Sequence, residues 1–253
     1  MSEGSYTAEE MMTVAAARAL RNGTVCFVGI GLPSAAANLA RLTHAPDVVL
    51  IYESGTIGAK PEVLPLSIGD GELAETASSV VSTPEVFRYW LQGGRIDVGF
   101  LGAAQIDRFG NINTTVIGDY RKPKVRLPGA GGASEIATSA GEVFVIARQS
   151  KRTFVERLDF VTSVGSSALA GGQVKGVTRV ITDLGILERV ADRDELILTS
   201  LHPGVTSKQV EEATGWKLSM AREVEQTPAP TTKELATLRD LYPPAKRAHS
   251  EHA

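Results

Sequence analysis

Residues 47–61 read DVVLIYESGTIGAKP, an apolar run that stops on one carboxylate and a string of small residues. Val48, Val49, Leu50, Ile51 and Tyr52 have the branched and aromatic side chains that suit a strand. Glu53, Ser54 and Gly55 then signal its end. A carboxylate at the carboxyl end of a strand stands where open α/β sheets build their sites. Gly55 has no side chain, so a substrate can approach the Glu53 backbone closely. The same acid also reads as a capping or loop carboxylate on a solvated edge, and the rest of the chain has to decide between the two.

The flanking pattern supports an α/β sheet. Thr7 and Glu10 have capping-box spacing ahead of Met11, Met12, Val14, Ala15 and Leu20, which predicts an opening helix that ends by Asn22-Gly23. Residues 24–30 read as a buried strand holding Cys26. Pro33 suits the first turn of a helix over residues 34–42, and the strand bearing Glu53 follows. Residues 64–71 read as irregular surface or a short strand. Thr83-Pro84-Glu85 opens a helix through Phe87, Trp90 and Leu91, stopped by Gly93 and Gly94. Further strands are predicted at 98–101, 112–117, 143–147, 160–164 and 196–201, with a hairpin at 177–187 around Asp183-Leu184-Gly185. His202-Pro203-Gly204 reads as a turn, 207–214 as a short helix, and Thr231 with Glu234 as the cap of a last helix through Leu235, Leu238 and Leu241. Alternating strands and helices give an open, mainly parallel sheet flanked by helices, with added β-hairpins in the second half. No linker divides the chain, so one domain over residues 1–253 is expected, with a loose tail after about residue 243.

Two glycine-containing loops invite chemistry. GIGLPS at 29–34 follows a strand and precedes an acid, half-matching the dinucleotide fingerprint, yet its third glycine position is Ser34 and Pro33 restricts the turn. A nucleotide-binding domain stays open on that match alone. The second loop, Pro128-Gly129-Ala130-Gly131-Gly132, excludes regular structure and favours exposed backbone N–H groups, which can cradle an anion or a developing oxyanion. It reads equally as a flexible connection.

Composition narrows the classes. The chain has 43% hydrophobic and 22% charged residues, and 26 basic against 29 acidic residues give a net charge of −3. This is a globular composition with no nucleic-acid or membrane signature. The single cysteine, Cys26, can form no internal disulfide, which fits a reducing compartment and a core role. With no basic-then-apolar amino terminus and no apolar run of membrane-spanning length, a cytoplasmic protein is expected.

The blocks ESG at 53–55, GAAQIDRFGNINTTVIGDY at 102–120 and PGAGGA at 128–133 resemble, in order and spacing, the β subunits of class I CoA-transferases. The likeness is of the heterodimeric glutaconate CoA-transferase type and nearest the 3-oxoadipate CoA-transferases. VCFVGIGLPSAAANLARLT, IGAKPEVLPLSIGDGELAETA and FRYWLQGGRIDVGFLGAAQ extend it from about residue 9 to residue 240. One departure is a shortened stretch at 164–176.

The resemblance implies transfer of CoA from succinyl-CoA to 3-oxoadipate, with Glu53 as nucleophile and a glutamyl-CoA thioester as intermediate. It implies a homologous α subunit, with an α2β2 assembly, and neither a metal nor a cofactor beyond the CoA thioester substrate. Gly131 and Gly132 are the oxyanion donors by loop chemistry and by resemblance. Gln105 either donates there too or bridges the GNIN turn at 110–113. A dicarboxylic acceptor calls for a cation, and Lys60, Arg88, Arg121 and Arg126 are the candidates. The alternatives are a glutaconate-type dicarboxylate CoA-transferase, a CoA-ester hydrolase on the same fold, and a non-catalytic nucleotide- or CoA-binding module. A carboxylate nucleophile needs no general base, so His202 reads as a turn residue.

Overall fold

The computed structural model describes residues 5–165, 176–190 and 194–242. The chain forms two compact units: the first from residues 1–88 and 229–253, the second from residues 89–228. The shortened stretch at 164–176 and the tail after 243 fall wholly or largely outside the described residues.

The first unit opens with α1 (Ala8–Arg18), whose capping box between Thr7 and Glu10 forms as the sequence predicts. β1 (Val25–Val28), α2 (Leu32–Thr43) and β2 (Val49–Tyr52) follow as a βαβ unit. β1 and β2 pair in parallel, Cys26 opposite Leu50 and Val28 opposite Tyr52. Two short strands, β3 (Thr56–Ile57) and β4 (Ser79–Val80), add antiparallel to β2. Between them lies α3 (Gly71–Glu75), capped by the Asp70 carboxylate. The irregular surface expected at 64–71 is found, whereas α3 was not foreseen. α4 (Thr83–Glu85) starts on a Ser82–Glu85 capping box and runs on as a π-helical turn, Val86–Leu91.

The second unit is richer in strands. β5 (Val98–Leu101), the short pair β6 (Gln105–Ile106) and β7 (Ile112–Asn113), and the hairpin β8 (Val116–Gly118) with β9 (Pro123–Arg126) come first. α5 (Ala133–Ser139) and β10 (Glu142–Ile146) follow, then β11 (Val177–Ile181), β12 (Gly185–Arg189), β13 (Leu196–Leu201), α6 (Ser207–Glu212) and β14 (Met220–Gln226). The strand order is β14-β13-β12-β11-β10-β5. β5, β10 and β11 are parallel, and β11, β12 and β13 form the expected antiparallel hairpins. Phe100 meets Phe144 edge-on at 5.7 Å, and Phe154 stacks on Trp216 at 5.9 Å, in the buried interior.

Two sequence expectations fail here for one reason. The single strand expected at 112–117 is interrupted because Asn113 Oδ1 accepts from the N–H groups of Thr115 (2.9 Å) and Val116 (3.2 Å), replacing ladder partners. The strand expected at 160–164 is absent apart from a bridge between Ser163 and Ile112. There Asp159 and Thr162 spend their side chains on neighbouring backbone N–H groups instead.

The chain closes in the first unit with α7 (Thr232–Asp240), again on a capping box, Thr231 with Glu234. Arg18 grips the Glu234 carboxylate through Nε and Nη2, both at 2.7 Å, and Arg239 Nε donates to Glu10 at 2.7 Å. These two pairs cross-link α1 and α7. Among the described residues no helix is long and apolar enough to cross a membrane.

Candidate active site

Glu53 stands just past the end of β2, on a turn fixed from two sides. Within the turn, the Gly55 N–H donates to the Tyr52 carbonyl at 3.0 Å, and Gly55 takes φ +107°, a conformation side chains disfavour. Outside it, the Val81 N–H donates to the Gly55 carbonyl at 2.9 Å and the Thr83 hydroxyl to the Glu53 carbonyl at 3.2 Å.

A buried polar network holds the strand end from within. The Tyr52 hydroxyl lies 2.9 Å from Ser34 Oγ and accepts from Asn38 Nδ2 at 3.4 Å. Arg41 donates to Asn38 Oδ1 through Nε (3.2 Å) and Nη2 (3.1 Å), and Nη2 also reaches the Pro61 carbonyl at 2.7 Å. One arginine thus ties α2 to the far end of the stretch that carries Glu53. Burial pushes the Tyr52 phenol up and the Arg41 guanidinium down from their ordinary values. Ser34, Asn38 and Arg41 escaped the sequence reading, although a lone arginine on an otherwise apolar helix was a visible signal.

The carboxylate of Glu53 is half-buried and makes no hydrogen bond or ion pair among the described residues. Its neighbours Ser54 Oγ and Thr56 Oγ1 are also buried without partners. A backbone fixed this firmly around an uncommitted carboxylate suits a nucleophile better than a cap, because a cap would spend its oxygens on N–H groups.

The second unit holds the other candidates. In the glycine loop, Gly129 and Gly131 have φ of +102° and +49°, and Gly132 precedes α5. The Gly131 and Gly132 N–H groups have no acceptor among the described residues, whereas the Ala133 N–H turns back to the Ala130 carbonyl at 2.8 Å. Two adjacent unspent donors on an exposed loop are what an oxyanion needs. Gln105 is differently placed. Its Oε1 accepts from Asn113 Nδ2 (2.7 Å) and the Asp159 N–H (3.1 Å), while Nε2 donates to Asp159 Oδ2 at 3.0 Å. Of the two roles open to it, the geometry favours bridging the GNIN turn.

Lys60 and Arg88 belong to the first unit and Arg121 to the second, and all three are exposed. Arg126 lies over the Tyr120 ring at 4.8 Å and donates to the Tyr120 carbonyl at 2.9 Å, so it braces its own hairpin. Cys26 is buried in β1. His202 is buried in the turn after β13, with Nε2 2.8 Å from the Thr182 carbonyl, and burial lowers its pKa. Among the described residues no group of three His, Cys, Asp or Glu side chains could hold a metal ion. The dinucleotide half-match also loses its footing, since Ser34, at the third glycine position, is a packed residue bonded to Tyr52.

The model of the coenzyme A transferase family matches residues 9–213, most of the chain. The chain belongs to the coenzyme A transferase family. It is 67% identical to the β subunit of 3-oxoadipate CoA-transferase from Pseudomonas knackmussii, over 98% of this chain and 97% of the relative. Glutaconate coenzyme A-transferase from Acidaminococcus fermentans superposes with a TM-score of 0.89 at 32% identity, over 97% of this chain and 98% of the other. The decarboxylase AibA/AibB superposes with a TM-score of 0.84 at 27% identity, over 97% and 98%. One fold therefore carries more than one reaction, and function has to be argued from the site.

Proposed function

We propose that this chain is the β subunit of a CoA-transferase that moves CoA from succinyl-CoA to 3-oxoadipate, with Glu53 as the nucleophile. The observation that carries the chemistry is the uncommitted Glu53 carboxylate on a turn pinned by Thr83, Val81 and Gly55. The substrate pair and the homologous α subunit, in an α2β2 assembly, rest on the 67% identity to the β subunit of a 3-oxoadipate CoA-transferase.

Glu53 attacks the thioester carbonyl of succinyl-CoA, forming a glutamyl-succinyl anhydride and expelling the CoA thiolate. The thiolate attacks the Glu53 carbonyl and expels succinate, leaving a glutamyl-CoA thioester. The acceptor carboxylate then attacks that carbonyl, forms the second anhydride and releases the thiolate. Attack of the thiolate on the acceptor's acyl carbon returns Glu53 as a carboxylate. No net proton is taken up or lost, so no general base is required. Dividing the transfer in this way conserves the thioester's free energy and gives ping-pong kinetics. Each attack builds an oxyanion, for which the Gly131 and Gly132 N–H groups are the donors on this chain. The acceptor's distal carboxylate pairs with an exposed cation, for which Lys60, Arg88 and Arg121 remain available. The reaction needs neither a metal nor a resident cofactor, and a lone buried cysteine suits the cytoplasm.

The test is a coupled assay of the chain with its α partner against a panel of dicarboxylic acids. Succinyl-CoA with 3-oxoadipate should give the highest kcat/KM, and the chain without the partner should be inactive. Preference for glutaconate would reassign the acceptor. Release of free CoA with no acceptor present would replace the transferase by a hydrolase.

A further inference from the structure

The glycine loop is not free at its base. Thr114 lies in the break between β7 and β8, and it grips Gly129 at two points. Its carbonyl accepts from the Gly129 N–H at 2.9 Å, and its hydroxyl donates to the Gly129 carbonyl at 2.8 Å. Its own N–H donates to Thr162 Oγ1 at 2.9 Å, so every polar group of Thr114 is engaged. The Thr162 hydroxyl in turn lies 2.7 Å from the Thr115 hydroxyl, and Leu127 N–H donates to the Thr115 carbonyl at 3.1 Å.

The clamp is anchored one layer further down. Asn113, fully buried, turns the chain into Thr114 by accepting from the N–H groups of Thr115 and Val116 and donating to the Val116 carbonyl at 2.6 Å. Gln105 holds Asn113, and Asp159 holds both Gln105 and the Gly118 N–H at 3.1 Å. This chain of bonds runs from the interior of the second unit to Gly129, two residues before Gly131. Its members are part-buried or buried, where a satisfied network fixes one arrangement. Gly129 and Gly131 both have positive φ, so the loop between them has no side chains of its own to set its path.

We infer that Thr114 is a positioning residue for the oxyanion donors: its hydroxyl fixes the Gly129 peptide and thereby aims the Gly131 and Gly132 N–H groups. Asn113 and Gln105 act behind it. This rests on the transferase reading above, and it accounts for the buried Gln105 that the reaction itself does not use. The Thr114 hydroxyl touches no substrate in this account. It acts through the loop, so its loss should appear in the chemical step rather than in the binding of CoA thioester.

The test compares Thr114→Val with Thr114→Ser in the chain assembled with its α partner. Valine keeps the shape and removes the donor, while serine restores the donor. In Thr114→Val, kcat should fall by roughly 10- to 100-fold, because a displacement of about 1 Å can cost about 10²-fold. KM for succinyl-CoA should stay within about twofold, and Thr114→Ser should recover most of kcat. Amide hydrogen exchange over residues 129–132 should quicken in the valine variant and not in the serine one. An unchanged kcat in Thr114→Val, a rise in KM alone, or equal losses in both variants would overturn the assignment. The exchange measurement needs no turnover. If the wild-type assembly transfers no CoA, the transferase reading has failed, and exchange alone decides whether the hydroxyl sets the loop. Unaltered exchange in the valine variant would then reject the clamp.

Discussion

The Val81 carbonyl oxygen occupies the place that a side chain on Gly55 would take. The same two residues are joined by the Val81 N–H bond to the Gly55 carbonyl, so the backbone that closes the Glu53 turn leaves no room for a Cβ. Gly55→Ala therefore combines a backbone clash with a positive φ, whose left-handed conformation costs an L-residue roughly 1–2 kcal/mol. The turn has to move, and Glu53 moves with it. Transfer by the assembled enzyme should fall on the order of 10²-fold. Gly23→Ala is the control, since Gly23 also has a positive φ (+80°) but open space around it. It should cost stability and leave kcat unchanged. A Gly55→Ala enzyme with normal kcat would detach this turn from catalysis.

The glycine loop is tested at its centre. A Cβ on Gly131 meets nothing within 4 Å, so Gly131→Val acts through backbone conformation at φ +49° and not through packing. The kcat should drop by about 10²–10³, the scale of one lost oxyanion donor, with circular dichroism unchanged. A folded variant with undiminished kcat would leave the loop a purely structural role.

What the sequence announced was local. Both helix-bounding boxes, Thr7 with Glu10 and Thr231 with Glu234, were legible because each is a signature within four residues. Glu53 was legible because an apolar run ended on it. β14, reading MAREVEQ, gave no alternation, and it is a strand only because β13 pairs beside it in parallel. Residues 160–164 looked like a strand, but their polar groups serve a network with residues about 48 positions earlier. The grip of Thr114 on Gly129 spans 15 residues of turn and hairpin. No periodicity encodes such a contact, and only the folded path shows it.

The α1–α7 cross-link sets an acid limit on the first unit. Burial works to raise the Glu234 carboxyl, but hydrogen bonds from Arg18 and Thr231, with the Arg18 charge, hold it down at about 2 against an ordinary 4.5. Glu10 is likewise lowered, burial again being outweighed by Arg239 and Thr7. A carboxyl depressed in the folded state binds fewer protons there than unfolded, so its stabilisation is present above 4.5 and is lost as pH falls towards 2. Glu234→Gln should lower stability at neutral pH by about 1–3 kcal/mol, the range for hydrogen bonds to charged groups. That deficit should close on acidification. Denaturant melts of both proteins from pH 7 to pH 2 provide the check, and a deficit that does not change with pH would remove the ion pair from the account.

The central claim is a bond to one atom of Glu53, and trapping that bond tests it most directly. The assembled enzyme is incubated with succinyl-CoA and no acceptor, treated with borohydride, digested, and its peptides mapped by mass. A glutamyl-CoA thioester is reduced to an alcohol, whereas a free carboxylate resists reduction. The expected result is one modified peptide, altered at Glu53, dependent on succinyl-CoA and accompanied by loss of activity. Glu53→Ala should show neither the modification nor transfer. Glu53→Asp, which withdraws the carboxylate by one methylene, should form the adduct on the order of 10²-fold more slowly. Modification at another residue, or transfer that survives in Glu53→Ala, would contradict the mechanism.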